Sequence, residues 1–168
     1  MIENGYKVMK EELAGELLET IKKNITPAGF EQLVVDLLLA MGYGGSRKDA
    51  GIAVGKSGDG GIDGLINEDR LGLNKIYIQA KHWEANVGDV ELGRFLGSLA
   101  SKGATKGVMI TTSDFTQQAK NTITNNRSSV EIVLINGKLL AELMIEYNLG
   151  VSPVATYEVK RLDSDYFI

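Results

Sequence analysis

The stretch Lys75-Ile76-Tyr77-Ile78-Gln79-Ala80-Lys81-His82-Trp83 has the alternation of a β-strand. Successive strand side chains point to opposite faces, so Ile76, Ile78, Ala80 and His82 share a core face. Lys75, Tyr77, Gln79, Lys81 and Trp83 share the other, which sets an amide oxygen two residues from an ammonium. Upstream, Asp63 stands within Gly60-Gly61-Ile62-Asp63-Gly64. The glycines leave room for backbone or a ligand to approach closely. In a roughly symmetric hairpin Asp63 comes close to Gln79.

An acid, a neutral oxygen and a lysine so placed can build a metal-assisted hydrolytic site. Mg²⁺ prefers oxygen ligands and keeps several waters. Asp63 would supply charge, Gln79 its side-chain carbonyl, and Ala80 its backbone carbonyl. Lys81 would orient an attacking water and offset charge on a phosphate. The same spacing also fits a half-buried hairpin with a polar outer face, and pattern alone leaves both readings open. Glu31 is a second notable acid. It precedes Val34, Val35 and Leu38 by three, four and seven residues, on the flank of an apolar stripe. A carboxylate there needs a partner or a metal, or is a glutamate favoured by the start of its helix.

Several elements must position these groups. Glu11–Lys23 places Leu13, Leu17, Leu18 and Ile21 at helical spacing. Thr26-Pro27 caps and starts a second helix, with Phe30, Leu33, Val34, Leu37, Leu38 and Met41 on one face and Gly42 as its left-handed terminator. Residues 42–64 are glycine-dense, with a short strand expected near Gly51–Val54. Ile62–Asn67 and Lys75–Trp83 form an antiparallel hairpin. A helix follows over Val87–Ala100, carrying Val90, Leu92, Phe95, Leu96 and Leu99. Then come a strand at Gly107–Thr112, a helix at Phe115–Asn125 capped by Ser113-Asp114, a strand at Val130–Ile135 and a helix at Lys138–Tyr147. The strand–helix–strand run implies a parallel pair, and the hairpin an antiparallel portion. The expected fold class is α/β, a mixed β-sheet core flanked by helices.

Composition narrows the chemistry. The 168 residues contain no cysteine and one histidine, His82, which excludes thiolate zinc sites, iron–sulfur clusters, cysteine nucleophiles and multi-histidine metal sites. His82 lies on the core face and reads as a packed residue. No run of eighteen apolar residues occurs, and Met1–Lys10 has no apolar signal core, so no membrane partner and a cytoplasmic location are expected. The net charge of −4 argues against nonspecific coating of nucleic acid. Residues 44–106 are nevertheless balanced, with nine basic and eight acidic side chains. Gly51-Ile52-Ala53-Val54-Gly55-Lys56-Ser57 is one residue short of a phosphate-binding loop and leads into glycines rather than a helix. Asp49 and Asp59 read as loop acids, and Trp83 and Tyr77 as packing or base-stacking aromatics.

The segments Phe30–Leu38, Met41–Gly45, Gly58–Gly64, Tyr77–Lys81, Gly107–Ser113 and Phe115-Thr116 together resemble the catalytic domain of the Mrr restriction endonucleases. The resemblance runs in order from about Thr26 to Gly150. It implies a restriction-endonuclease-like fold of the PD-(D/E)XK superfamily, cleavage of modified, typically methylated, double-stranded DNA as a type IV enzyme, and Mg²⁺ as cofactor, with Mn²⁺ able to substitute. By resemblance Asp63 is the metal-binding strand aspartate. Gln79 replaces the usual second acid, Lys81 is the catalytic lysine, and Glu31 completes the site. A homo-oligomer is expected, because cutting both strands takes two sites. Such proteins usually carry an N-terminal winged helix that reads DNA. The expected organisation is therefore a linker or N-terminal helix at residues 1–25, the nuclease domain at 26–150 and a tail at 151–168. A nuclease for branched or repair structures, or an inactive DNA-binding or assembly module, would fit the same fold.

Overall fold

The computed structural model describes residues 2–44, 52–53, 61–126 and 128–168. A mixed sheet runs through its centre in the order β1 (Ile52–Ala53), β2 (Gly64–Asn67), β3 (Lys75–Lys81), β4 (Lys106–Thr111) and β5 (Glu131–Ile135). β1, β2 and β3 are antiparallel neighbours, whereas β3, β4 and β5 run parallel. The expected hairpin and the expected parallel pair are both present. The helices are α1 (Ile2–Asn24), α2 (Pro27–Ala40), α3 (Asp89–Ser101), α4 (Gln117–Thr124) and α5 (Gly137–Glu146), followed by a 3-10 turn at Ser164–Phe167.

Two cores cover the two faces of the sheet. On one, Phe30, Val34, Val35, Leu37 and Leu38 of α2 meet Ile66, Ile76, Ile78 and Ile110, joined by Leu140 and Met144 of α5. On the other, Leu92, Phe95 and Leu99 of α3 and Ala119 of α4 pack with Met109 and Ile132. Thr26 caps α2 as expected, its hydroxyl accepting from the Gly29 N–H at 3.1 Å, and Gly42 ends that helix at φ 99°. α1 is longer than its periodicity implied. Only its second half is held, by Ala14, Leu17 and Ile21 in the first core, so the exposed first turns carry no apolar stripe to read.

Three expectations need correction. The cap of α4 is Thr116, which accepts from the Ala119 N–H at 3.2 Å. Asp114 is used elsewhere, accepting from the Phe115 N–H at 2.7 Å, and Val87 pairs with Phe115 as a parallel bridge before that helix begins. Val90 is exposed, not part of the α3 core. The Gln79 face of β3 is no polar outer surface either. α3 and α4 cover it, Tyr77 packs into the second core and Gln79 is only 2% exposed. A strand with a parallel neighbour is roofed on both faces, and that excludes the half-buried hairpin. The short strand and the glycine-rich loop expected between residues 45 and 60, including Asp49, Asp59 and the phosphate-loop-like run, lie outside the described residues apart from Ile52–Ala53.

Candidate active site

β2 and β3 bring the acid to the amide. Their register pairs Gly64 with Ile78, so one residue further Asp63 comes opposite Gln79. Asp63 is tied down at that point. Its own N–H donates to the Ile78 carbonyl at 2.8 Å, and its Oδ2 accepts from the Ala80 N–H at 2.8 Å. Within a strand a residue's N–H and C=O point to the same side, so the Ala80 carbonyl faces the Asp63 side too. The Lys81 carbonyl faces the other way, accepting from the Thr112 N–H at 3.2 Å and the Thr111 hydroxyl at 2.9 Å. These bonds from β4 fix the end of β3 that carries Lys81.

Gln79 is buried, and its Oε1 has no hydrogen-bond donor among the described groups. A buried acceptor left without a donor costs free energy unless something else supplies positive charge or a proton. Its amide nitrogen lies against Gly61, where the backbone turns at φ 86°. A Cβ at that position would come within 2.5 Å of Gln79 Nε2. Gly61→Ala therefore meets left-handed strain of about 1–2 kcal/mol and must displace the Gln79 amide. We expect lower stability together with weaker cation binding, read by thermal unfolding with and without Mg²⁺. An alanine variant with wild-type cation response would show that Gln79 is not held there.

Electrostatics couple the remaining groups. Burial pushes the Asp63 carboxyl above its ordinary value of 3.8, against the opposing effects of the Ala80 N–H and the Lys81 charge. Burial, and then the negative charge of Asp63, push Glu31 above 4.5. Glu31 thus stands near enough to Asp63 to feel it, on a helix packed against the hairpin. Among the described residues no three acidic or histidine side chains gather as a metal cluster. The local set is two carboxylates, one amide and one backbone carbonyl, a hard-oxygen set of the kind Mg²⁺ takes.

The raised Asp63 pKa makes stability depend on pH. A folded-state pKa above the unfolded one means that ionisation costs stability. The loss begins as pH rises past about 3.8 and is complete above the folded-state value. Asp63→Asn removes it. In chelator, the wild type should lose stability relative to Asp63→Asn as pH rises from 3.8 towards neutrality. A constant difference across that range would show that Asp63 is not destabilised by its surroundings.

Lys81 shares the Gln79 face, with its side chain 18% exposed. Its ammonium lies 3.6 Å from Glu91 Oε2 and 4.9 Å from the centre of the Trp83 ring. Sequence reasoning passed over Glu91. The available signal was of the kind used for Glu31: an acid on the flank of an apolar stripe, here four and eight residues before the buried Phe95 and Leu99. His82 is a packed residue as expected, edge-on to Phe30 at 5.6 Å with Nε2 3.2 Å from the Ile21 carbonyl.

With this geometry established, relatives can be compared. A family model described as restriction endonuclease, Mrr_cat, matches residues 22–144. Over 167 residues the chain is 46% identical to the type IV methyl-directed restriction enzyme EcoKMrr of Escherichia coli K12, covering 99% of this chain and 53% of that protein. The chain therefore spans about half the length of this curated relative. The MspJI restriction endonuclease in complex with a 27-mer oligonucleotide superposes with a TM-score of 0.53 at 24% identity, covering 84% of this chain and 33% of that one. The DNA modification-dependent restriction endonuclease AspBHI gives 0.61 at 21% identity, covering 84% and 36%. Both likenesses show a shared restriction-endonuclease fold.

Proposed function

Since the chain belongs to the Mrr restriction endonuclease catalytic family, we propose that it is a Mg²⁺-dependent endonuclease domain hydrolysing phosphodiester bonds in methylated double-stranded DNA. The observation that carries this reading is the register that sets Asp63 opposite a buried Gln79 whose Oε1 has no donor among the described residues, with Lys81 two residues on. The choice of a methylated substrate is supported by the relative named methyl-directed.

The residues fit the cation. Asp63, Gln79 Oε1 and the Ala80 carbonyl would hold Mg²⁺ or Mn²⁺, and the amide oxygen, which has no donor among the described residues, would thereby gain a positive partner. Such an ion would supply Lewis acidity and a lowered pKa for the attacking water. The chain's own groups do the rest. Asp63, locked by the Ala80 N–H, contributes the negative charge. Glu31 adds a second carboxylate, whose ionised form a cation would favour. Lys81 orients the attacking water and offsets charge growing on the phosphate. The Trp83 ring lies against the Lys81 ammonium.

Cutting both strands takes two such sites, so a homo-oligomer is part of the proposal. Among the described residues no helix is long and apolar enough to cross a membrane. A DNA substrate would put the domain in the cytoplasm. The test is cleavage of matched methylated, unmethylated and branched duplexes with Mg²⁺ or Mn²⁺. Methyl-dependent cutting is expected. Preference for the branched substrate would move the domain to structure-specific or repair cleavage. Failure to cut any DNA with either ion would leave a binding or assembly module.

A further inference from the structure

We propose that Glu91 is a positioning residue for Lys81, holding its ammonium with the help of the Trp83 ring where the scissile phosphate arrives. This rests on the reading of Lys81 as the reacting lysine. A lysine head on a four-carbon stem is poorly fixed unless something holds it. Here two groups do so from different elements: Glu91 Oε2 at 3.6 Å from α3, and the Trp83 ring at 4.9 Å just beyond β3.

The anchor is itself well anchored. Glu91 is the third residue of α3, where the helix N-terminus favours a carboxylate. Leu92, Phe95 and Leu99 lock that helix into the second core. Its other oxygen, Oε1, accepts from Arg94 Nη1 at 3.0 Å, which offsets the charge Glu91 would turn towards DNA. The spacing to Lys81 also matters. At 3.6 Å the pair is an ion contact, longer than a hydrogen bond. The ammonium is thus held in place without committing its N–H donors to Glu91, and they stay available to a phosphate.

The test is Glu91→Gln and Glu91→Asp in the full protein, assayed on methylated duplex DNA with saturating Mg²⁺. Glutamine keeps the shape and removes the charge. We expect kcat to fall about ten- to a hundredfold, as for a reacting group displaced by roughly an ångström. KM for DNA should barely move, and Glu91→Asp should recover part of the loss. Trp83 is the only tryptophan, so its fluorescence reports on the neighbouring ammonium. The emission of metal-free Glu91→Gln should differ from wild type although thermal unfolding is unchanged. Wild-type kcat in Glu91→Gln would overturn the proposal. So would a raised KM with unchanged kcat, which would assign Glu91 to Arg94 and DNA binding instead. If Lys81→Ala itself stays active, the underlying reading of the site fails. If Lys81→Ala is inactive and Glu91→Gln is not impaired, only this inference fails.

Discussion

Gln79→Glu should bind Mg²⁺ more tightly than the wild type and be less stable without it. An amide oxygen brings no charge to a cation, whereas a carboxylate brings a full one to a site where charge interactions exceed their value in water. The burial of Gln79 makes the other half of the effect large. The new carboxylate would sit 2% exposed across from Asp63, whose own ionisation burial already disfavours. Two buried like charges either take up a proton or cost several kcal/mol. In chelator the unfolding temperature of Gln79→Glu should therefore fall well below wild type. Mg²⁺ should restore it by more than it raises the wild type, because a ligand that binds the folded state stabilises by an amount that grows with the logarithm of its affinity. Cation binding should also displace a proton, so the variant's affinity should rise with pH. Activity is the weaker readout, since tighter ground-state binding need not favour the transition state. Calorimetric titration of both forms checks the claim. Equal or weaker binding by the glutamate form would reassign residue 79 to orienting Lys81 or a water.

Lys81→Ala should abolish cleavage while leaving the fold intact. Removing one preorganised charge that faces the developing negative charge costs about 10²–10³ in rate, and positioning of the water is lost with it. The structural loss is small. Lys81 contributes one partly exposed ion pair and one contact with the Trp83 ring, each worth about 1 kcal/mol or less. Thermal unfolding should shift by a few degrees at most. Substantial residual cleavage would remove Lys81 from the mechanism. A collapse of stability would mean that the Lys81–Glu91 contact holds α3 to the sheet.

Much of this arrangement was legible in the sequence, because it rests on local signals. The Thr26-Pro27 start and Gly42 stop delimit α2, since a cap, a proline and a left-handed glycine act within one turn of the chain. The strict alternation of Ile76, Ile78 and Ala80 gave the core face of β3, and the short polar connection gave the hairpin that sets Asp63 opposite Gln79. What stayed hidden depends on tertiary packing. Alternation cannot show that α3 and α4 roof the other face of β3, which turns Gln79 from a surface residue into a buried one. The Glu91–Lys81 contact joins residues ten apart in sequence on two different elements, and neither residue type alone suggests it. Ser113-Asp114 and Thr116 all suit a helix start. Only the bridge between Val87 and Phe115, which holds the chain extended through residue 115, decides for Thr116.

One cation site formed by Asp63 and Gln79 beside Lys81 is what the proposed chemistry requires. Its most direct measurement is a crystal structure with Mn²⁺, located by anomalous scattering. A metal should lie within about 2.0–2.6 Å of an Asp63 carboxylate oxygen, Gln79 Oε1 and the Ala80 carbonyl, with the Lys81 ammonium facing the same space. A metal bound elsewhere, or one that leaves Gln79 Oε1 uncoordinated, would contradict it.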